Sequence, residues 1–181
     1  MRARPSERAT PHPFGKVPAL IHDGRSVFET LAILVYADRT WPSPRLIPER
    51  AAEGAAAFER YALIDHHLAT PVREALTTER LVKPRLGLAP DESAIAASLK
   101  PIAATLAVME TQLADAPWFG GEGIAIADLL AFALLDYVAL CPEDETLLAE
   151  APNLKRWRDA FAARPSAKAT AYDLDAFGPA P

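Results

Sequence analysis

An Asp-Gly pair, Asp23-Gly24, lies between two short apolar runs, and that placement leaves the local chain few options. Asp-Gly is favoured where successive residues need positive φ, so it predicts a tight β-hairpin. The first strand is Val17 to Ile21, with Pro18 inside it, and the second is Arg25 to Phe28. Glu29-Thr30 then opens a helix, because Leu31, Leu34 and Val35 recur at helical spacing. Thr30 is the expected N-cap, and Glu29 sets a carboxylate at the positive end of the helix dipole.

Beyond this unit the pattern changes. DRTWPSPRLIP, residues 38 to 48, holds three prolines and reads as a linker that Trp41 pins to the core. From Glu49 the chain turns helical, with Phe58, Tyr61, Ala62, Leu68, Ala69, Val72 and Leu76 on one face. Pro71 should kink or interrupt that helix. Asp65 falls within the apolar face, where a carboxylate either pairs with an arginine such as Arg73 or lines a pocket. His66-His67 lacks metal-ligand spacing, since helical neighbours diverge. KPRLGLAPD, residues 83 to 91, is a loop, and its Arg85 is an anion-binding candidate that is better read as solvated. Ile95, Leu99, Ile102, Leu106, Met109 and Leu113 then mark a long helix carrying Pro101, which should bend it or divide it into two abutting helices.

GEGIAIADLLAFALLDYVAL has the pattern of a buried, capped helix. Asp128 is placed at N3, able to accept from the Ala125 N–H, and Ile124 and Leu129 have the spacing of a hydrophobic staple. Alanine at the cap position forfeits a side-chain acceptor, a loss of about 1 kcal/mol. Asp128 is therefore read as structural rather than catalytic. Cys141 is expected to be a buried, inert thiol. In APNLKRWRDAFAARPS, Pro152 suits a first helical turn, and Leu154, Trp157 and Phe161 face inward.

Composition narrows the function classes. Hydrophobic residues make up 50% and charged residues 24% of 181, which describes an ordinary folded chain. A net charge of -5 without a basic run argues against nucleic acid as a partner. A single cysteine excludes a disulfide framework or a thiolate metal cluster, and no metal-ligand spacing is present. No uninterrupted apolar stretch suits a membrane span, and MRARPSERAT lacks the apolar segment of a signal peptide, so the cytoplasm is the expected compartment.

Three of these segments together resemble the glutathione transferase family. FGKVPAL, then DG, then FET before an apolar helix is similar to the family's run NPFGKVPAL…DG…L.ES.AI..YL. IAIAD is close to its (S/T)-x-A-D helix cap, with Ala125 departing from the usual hydroxyl, and APNLKRW is similar to its last shared helix. The resemblance covers Ser6 to Ser166. It implies a cis bond at Val17-Pro18, a Val17 backbone that pairs with the cysteinyl part of glutathione, and a Lys16 that faces the glycyl carboxylate. Glu29 and Thr30 would hold the γ-glutamyl end, with Asp65 in the second-substrate pocket between domains. These residue types suit a zwitterionic tripeptide, because a lysine and a helix N-terminus serve its two carboxylates and Glu29 its ammonium.

The fold class implied is mainly α with a small α/β part. A partial thioredoxin-like domain (1–39) and a linker (40–48) precede an all-helical domain (49–166) and a tail (167–181). The resemblance also implies a strand, a helix and a second strand before Ser6, carrying the catalytic serine, tyrosine or cysteine, so no catalytic residue is assigned. A start at Met1 that is miscalled or truncated is the favoured expectation, and a remnant without its own catalytic group is the other. The implied reaction is attack of the glutathione thiolate on an electrophilic small molecule in a homodimer, with glutathione as co-substrate and no further cofactor. The rival reading is a non-catalytic glutathione-binding or protein-interaction module.

Overall fold

The computed structural model describes residues 11–41 and 43–171. Two strands, β1 (Ala19–His22) and β2 (Arg25–Phe28), pair antiparallel with Ala19 opposite Phe28 and His22 opposite Arg25. Asp23 and Gly24 make the turn at φ 49° and 73°, the positive values that an Asp-Gly pair tolerates. The first strand starts two residues later than the apolar run suggests, because Val17-Pro18 is a cis peptide and lies outside the ladder. Helix α1 (Thr30–Thr40) packs back on the hairpin, with Leu31, Leu34 and Val35 against the main core.

The remaining elements are helical. Helix α2 (Ala51–Leu63) runs without a break into π-helical turns, Ile64–Ala69 and Pro71–Val82, and ends in a short α turn, α3 (Lys83–Arg85). Next come α4 (Glu92–Gln112), α5 (Ile126–Val138), α6 (Asp144–Leu147), α7 (Pro152–Ala162) and α8 (Pro165–Ala169). Helix α5 is the centre of the bundle, flanked by α2, the π-helical turns and α7. Ile126, Ala127, Ala131, Leu135 and Val138 of α5 are fully buried. Helix α4 has the length and hydropathy to cross a membrane, yet Ile95, Ile102, Leu106 and Met109 on it belong to the bundle core.

Several expectations need correcting. Pro71 does not stop its helix: it lies within the π turns that begin at Ile64, in which backbone pairing reaches one residue further, as from Lys83 N to Thr78 O. The Thr77 and Thr78 hydroxyls both donate to the Arg73 carbonyl, at 3.1 and 2.7 Å. Phe58 is 36% exposed, because the buried line through α2 and the π turns after it is Ala57, Tyr61, Ile64 and Leu68, one position away around the helix. Pro101 likewise leaves α4 continuous. Arg85 sits in the last helical turn and donates to Leu81 O at 3.0 Å, so the loop begins after it. The tail drawn from residue 167 begins inside α8, where Ala167 is buried. Ser6 and Glu7 lie outside the described residues.

Three carboxylates close the corner where α3 leads into α4. Glu79 accepts from Lys83 Nζ and from the Asp91 N–H, both at 2.7 Å. Asp91 caps α4, accepting from Ser93 Oγ at 2.6 Å and from the Ser93 and Ala94 N–H groups at 2.9 and 3.1 Å. Glu92 receives both arms of Arg80, whose guanidinium also donates to Glu143 at 2.6 Å. Lys83 holds the Glu79 carboxyl below its ordinary value, Ser93 does so for Asp91, and Arg80 does so for Glu92. A depressed folded value means the unfolded chain binds protons more readily, so this stability is present above about pH 4.5 and lost on acidification. Melting temperature should fall as pH drops below that value. In Glu79→Gln the fall should be shallower, which thermal melts across an acid pH series would show.

Candidate functional site

The hairpin and the start of α1 meet a turn spanning His12 to Gly15. Gly15 donates to the His12 carbonyl at 2.9 Å, and the Phe14 N–H donates to His12 Nδ1 at 3.1 Å. This compact turn delivers Lys16, Val17 and Pro18 to the surface, all exposed, with Val17 at 76%. Across from it stands Glu29, the N-cap of α1, at φ 68° and ψ 128°. A non-glycine residue at positive φ costs about 1–3 kcal/mol and marks a position held by its surroundings. Thr30 is the first helical residue rather than the cap, because the backbone departs from helical geometry at Glu29. Glu29 Oε1 lies 3.2 Å from His12 Nε2.

The bundle contributes the other wall. The Tyr61 ring is buried, and burial with the nearby Asp65 charge pushes its hydroxyl up to about 12. The Arg73 charge lowers it and the Glu29 charge adds a smaller upward push. Asp65 is half-buried at the start of the π turns. Arg73 is not its ion-pair partner, for Arg73 Nε donates to the Ala69 carbonyl at 3.3 Å. His66 and His67 are exposed, and His66 bonds the Ala62 carbonyl.

Two further carboxylates fix how the walls sit. Asp38, fully enclosed, accepts from the Leu46 and Ile47 N–H groups at 2.7 and 3.2 Å and from Arg45 Nη1 at 3.3 Å. It fastens the proline-rich segment to α1, and Ile47 is thereby buried. Trp41 does less of that work than expected: it is 52% exposed and rests edge-on to His22 at 4.9 Å. Asp128, wholly buried, accepts from Ala125 N at 2.8 Å, Phe119 N at 2.9 Å and Trp157 Nε1 at 2.7 Å. Only the carboxylate half of the capping box has a side chain, since Ala125 contributes just its backbone. Cys141 is buried and burial pushes its thiol up to about 11, which removes thiolate character at neutral pH.

Sequence reading missed His12 and Asp38. Asp38 carried a weak signal, an acid beside a segment whose prolines leave few N–H donors. His12 carried none, since its ring finds Glu29 only after the hairpin folds. Among the described residues no group of histidine, cysteine and carboxylate side chains has the proximity to hold a metal.

The comparisons with known proteins bear on this arrangement directly. The model of the glutathione S-transferase C-terminal domain matches residues 66–165, and that of the N-terminal domain matches residues 2–39. The chain belongs to the glutathione transferase family. Glutathione S-transferase F14 of Arabidopsis thaliana is 28% identical over 87% of this chain and 63% of its own length. Glutathione S-transferase 3 of Zea mays is 30% identical over 88% of this chain and 72% of its own. Among solved structures, glutathione S-transferase-I bound with lactoylglutathione superposes with a TM-score of 0.82 at 26% identity, covering 89% of this chain and 76% of that one. Glutathione S-transferase III in apo form gives 0.78 at 30% identity, covering 94% and 77%. The chain thus spans roughly two thirds to three quarters of the length of these relatives. In this glutathione transferase-family chain the C-terminal match holds most of the π turns and α3 to α7, the N-terminal match holds the hairpin and all but the last residue of α1, and α2 lies between the two.

Proposed function

We propose that this chain binds glutathione along the turn at Lys16, Val17 and Pro18 and presents the thiol to an electrophilic small molecule beside α2. The observation that carries the reading is the pairing of that exposed turn with Glu29 at the N-terminus of α1. Val17 precedes β1 and is exposed, so its backbone is available to a peptide laid alongside, the mode of strand addition. Lys16 supplies a point charge for one carboxylate, and the first N–H groups of α1 at Thr30 supply donors for the other. Glu29 accepts from the ammonium. Asp65 and Tyr61 lie on the side where the electrophile would enter.

The reaction joins a thiolate sulfur to an electrophilic carbon with loss of a leaving group or uptake of a proton. It consumes no electrons, so glutathione serves as co-substrate without a redox partner. The protein's contribution is to hold the two reactants together and to favour the thiolate. No described residue is assigned the second role. The solved structure of glutathione S-transferase I from maize with an atrazine glutathione conjugate supports a conjugation chemistry in the family. A cytoplasmic homodimer is the accompanying assembly, and light scattering of the purified chain would measure its mass.

The test is retention on immobilised glutathione, elution by free glutathione, and calorimetric titration. Wild type should bind, and Glu29→Ala should weaken binding by about 10- to 100-fold through loss of a charge-assisted hydrogen bond. Binding with turnover of an aryl halide establishes the transferase. Binding without turnover establishes the non-catalytic module. A wild-type chain that ignores glutathione overturns both glutathione-binding readings and leaves the protein-interaction module.

A further inference from the structure

We infer that His12 is a positioning residue for the glutathione site, holding the Glu29 carboxylate in one place. The inference rests on the glutathione reading above and adds to it a residue outside the ligand's reach. The imidazole is 5% exposed and both ring nitrogens face specific groups. Nδ1 accepts the Phe14 N–H at 3.1 Å, which places the neutral ring's proton on Nε2. Nε2 faces Glu29 Oε1 at 3.2 Å and so donates to it.

The ring has little room to turn. Phe28 meets it edge-on at 5.1 Å between centroids, and Phe14 lies 6.0 Å away. Glu29 is its opposite, with a side chain 70% exposed on a backbone at φ 68°. An exposed glutamate is free to populate several rotamers and loses that freedom when it takes up a ligand. One bond from an immobile ring to Oε1 removes part of that loss in advance and leaves Oε2 for an ammonium. Because the same ring also accepts the Phe14 N–H, it couples Glu29 to the turn that presents Lys16. The two ends of the ligand site therefore meet in a single buried side chain.

Asparagine is the informative replacement, since its Oδ1 can take the place of Nδ1 and accept the Phe14 N–H but stops short of Glu29. Glutamine does the reverse, carrying an amide N–H to the place of Nε2. Calorimetric titration of glutathione into the full chain should show His12→Asn weakening binding about fivefold. His12→Gln should recover most of the loss. In a Glu29→Ala background, where no acceptor for Nε2 is left, His12→Asn should change nothing further, because its effect passes through Glu29. Wild-type affinity in His12→Asn overturns the positioning role alone, as does an equal loss in the Glu29→Ala background, which would mean general packing. That background comparison decides even if His12→Asn lowers the melting temperature. A wild-type chain that does not bind glutathione overturns the binding reading and this role with it.

Discussion

Replacing Asp128 with alanine should destabilise the chain by about 4 kcal/mol, since it strands buried donors whose desolvation is then uncompensated. Three N–H groups lose their acceptor at once, those of Phe119, Ala125 and the Trp157 indole. The damage extends to packing, because the Trp157 ring is wholly buried and abuts Phe119 at 5.2 Å. Asp128→Asn should cost less. Its Oδ1 can still accept from Phe119 and Trp157, while its amide N–H groups oppose the Ala125 donor. Chemical denaturation of wild type and the two variants would give the order.

The pH dependence has a definite sign. Burial raises the Asp128 carboxyl above its ordinary value, against the pull of its N–H donors. The folded chain therefore holds that proton more tightly than the unfolded one. Stability linked to Asp128 is full below the unfolded value, near 3.8, and declines as pH rises through the raised folded value. This slope opposes the acid lability of the α3–α4 corner, and Asp128→Ala should abolish it. An unchanged slope in the variant would count against the assignment.

Asp38→Ala should produce the second large effect, a loss of about 2–3 kcal/mol from the two backbone donors left without their acceptor, while Arg45 keeps Glu49 at 3.1 Å. Its consequence is local as well as global. The segment from Arg45 to Ile47 hangs on that one carboxylate and continues to α5, where the Leu46 carbonyl accepts the Ile126 N–H at 3.2 Å. Freed of Asp38, this segment should become a preferred site of proteolytic cleavage before the bundle melts. Limited proteolysis with mass mapping would reveal it. Cleavage elsewhere first would mean that the prolines, rather than Asp38, hold the segment.

Much of the bundle was legible because its signals are local. The line Ile95, Ile102, Leu106 and Met109 needs only helical periodicity to be recognised, and all four residues are buried. The Asp128 cap is a short-range pattern, and it forms with the expected Ala125 partner. The hairpin followed from Asp23-Gly24 in the same way. Where the reading slipped, the cause was geometry that periodicity does not encode. Phe58 was placed inside because the 3.6-residue rule tolerates a shift of one position, whereas the neighbouring helices accept only the line through Ala57 and Tyr61. The helix runs on through Pro71 as π turns that begin at Ile64, an option that a residue-by-residue rule does not weigh.

Sequence alone determined the family, the hairpin and most of the helix faces, because each depends on neighbours within a few positions. Tertiary structure decided which of those residues are held and by what. His12 meets Glu29 across 17 positions, and Trp157 reaches Asp128 across 29. A hydrogen bond between such distant residues exists only once the chain has folded to bring them together, and no local pattern announces that event.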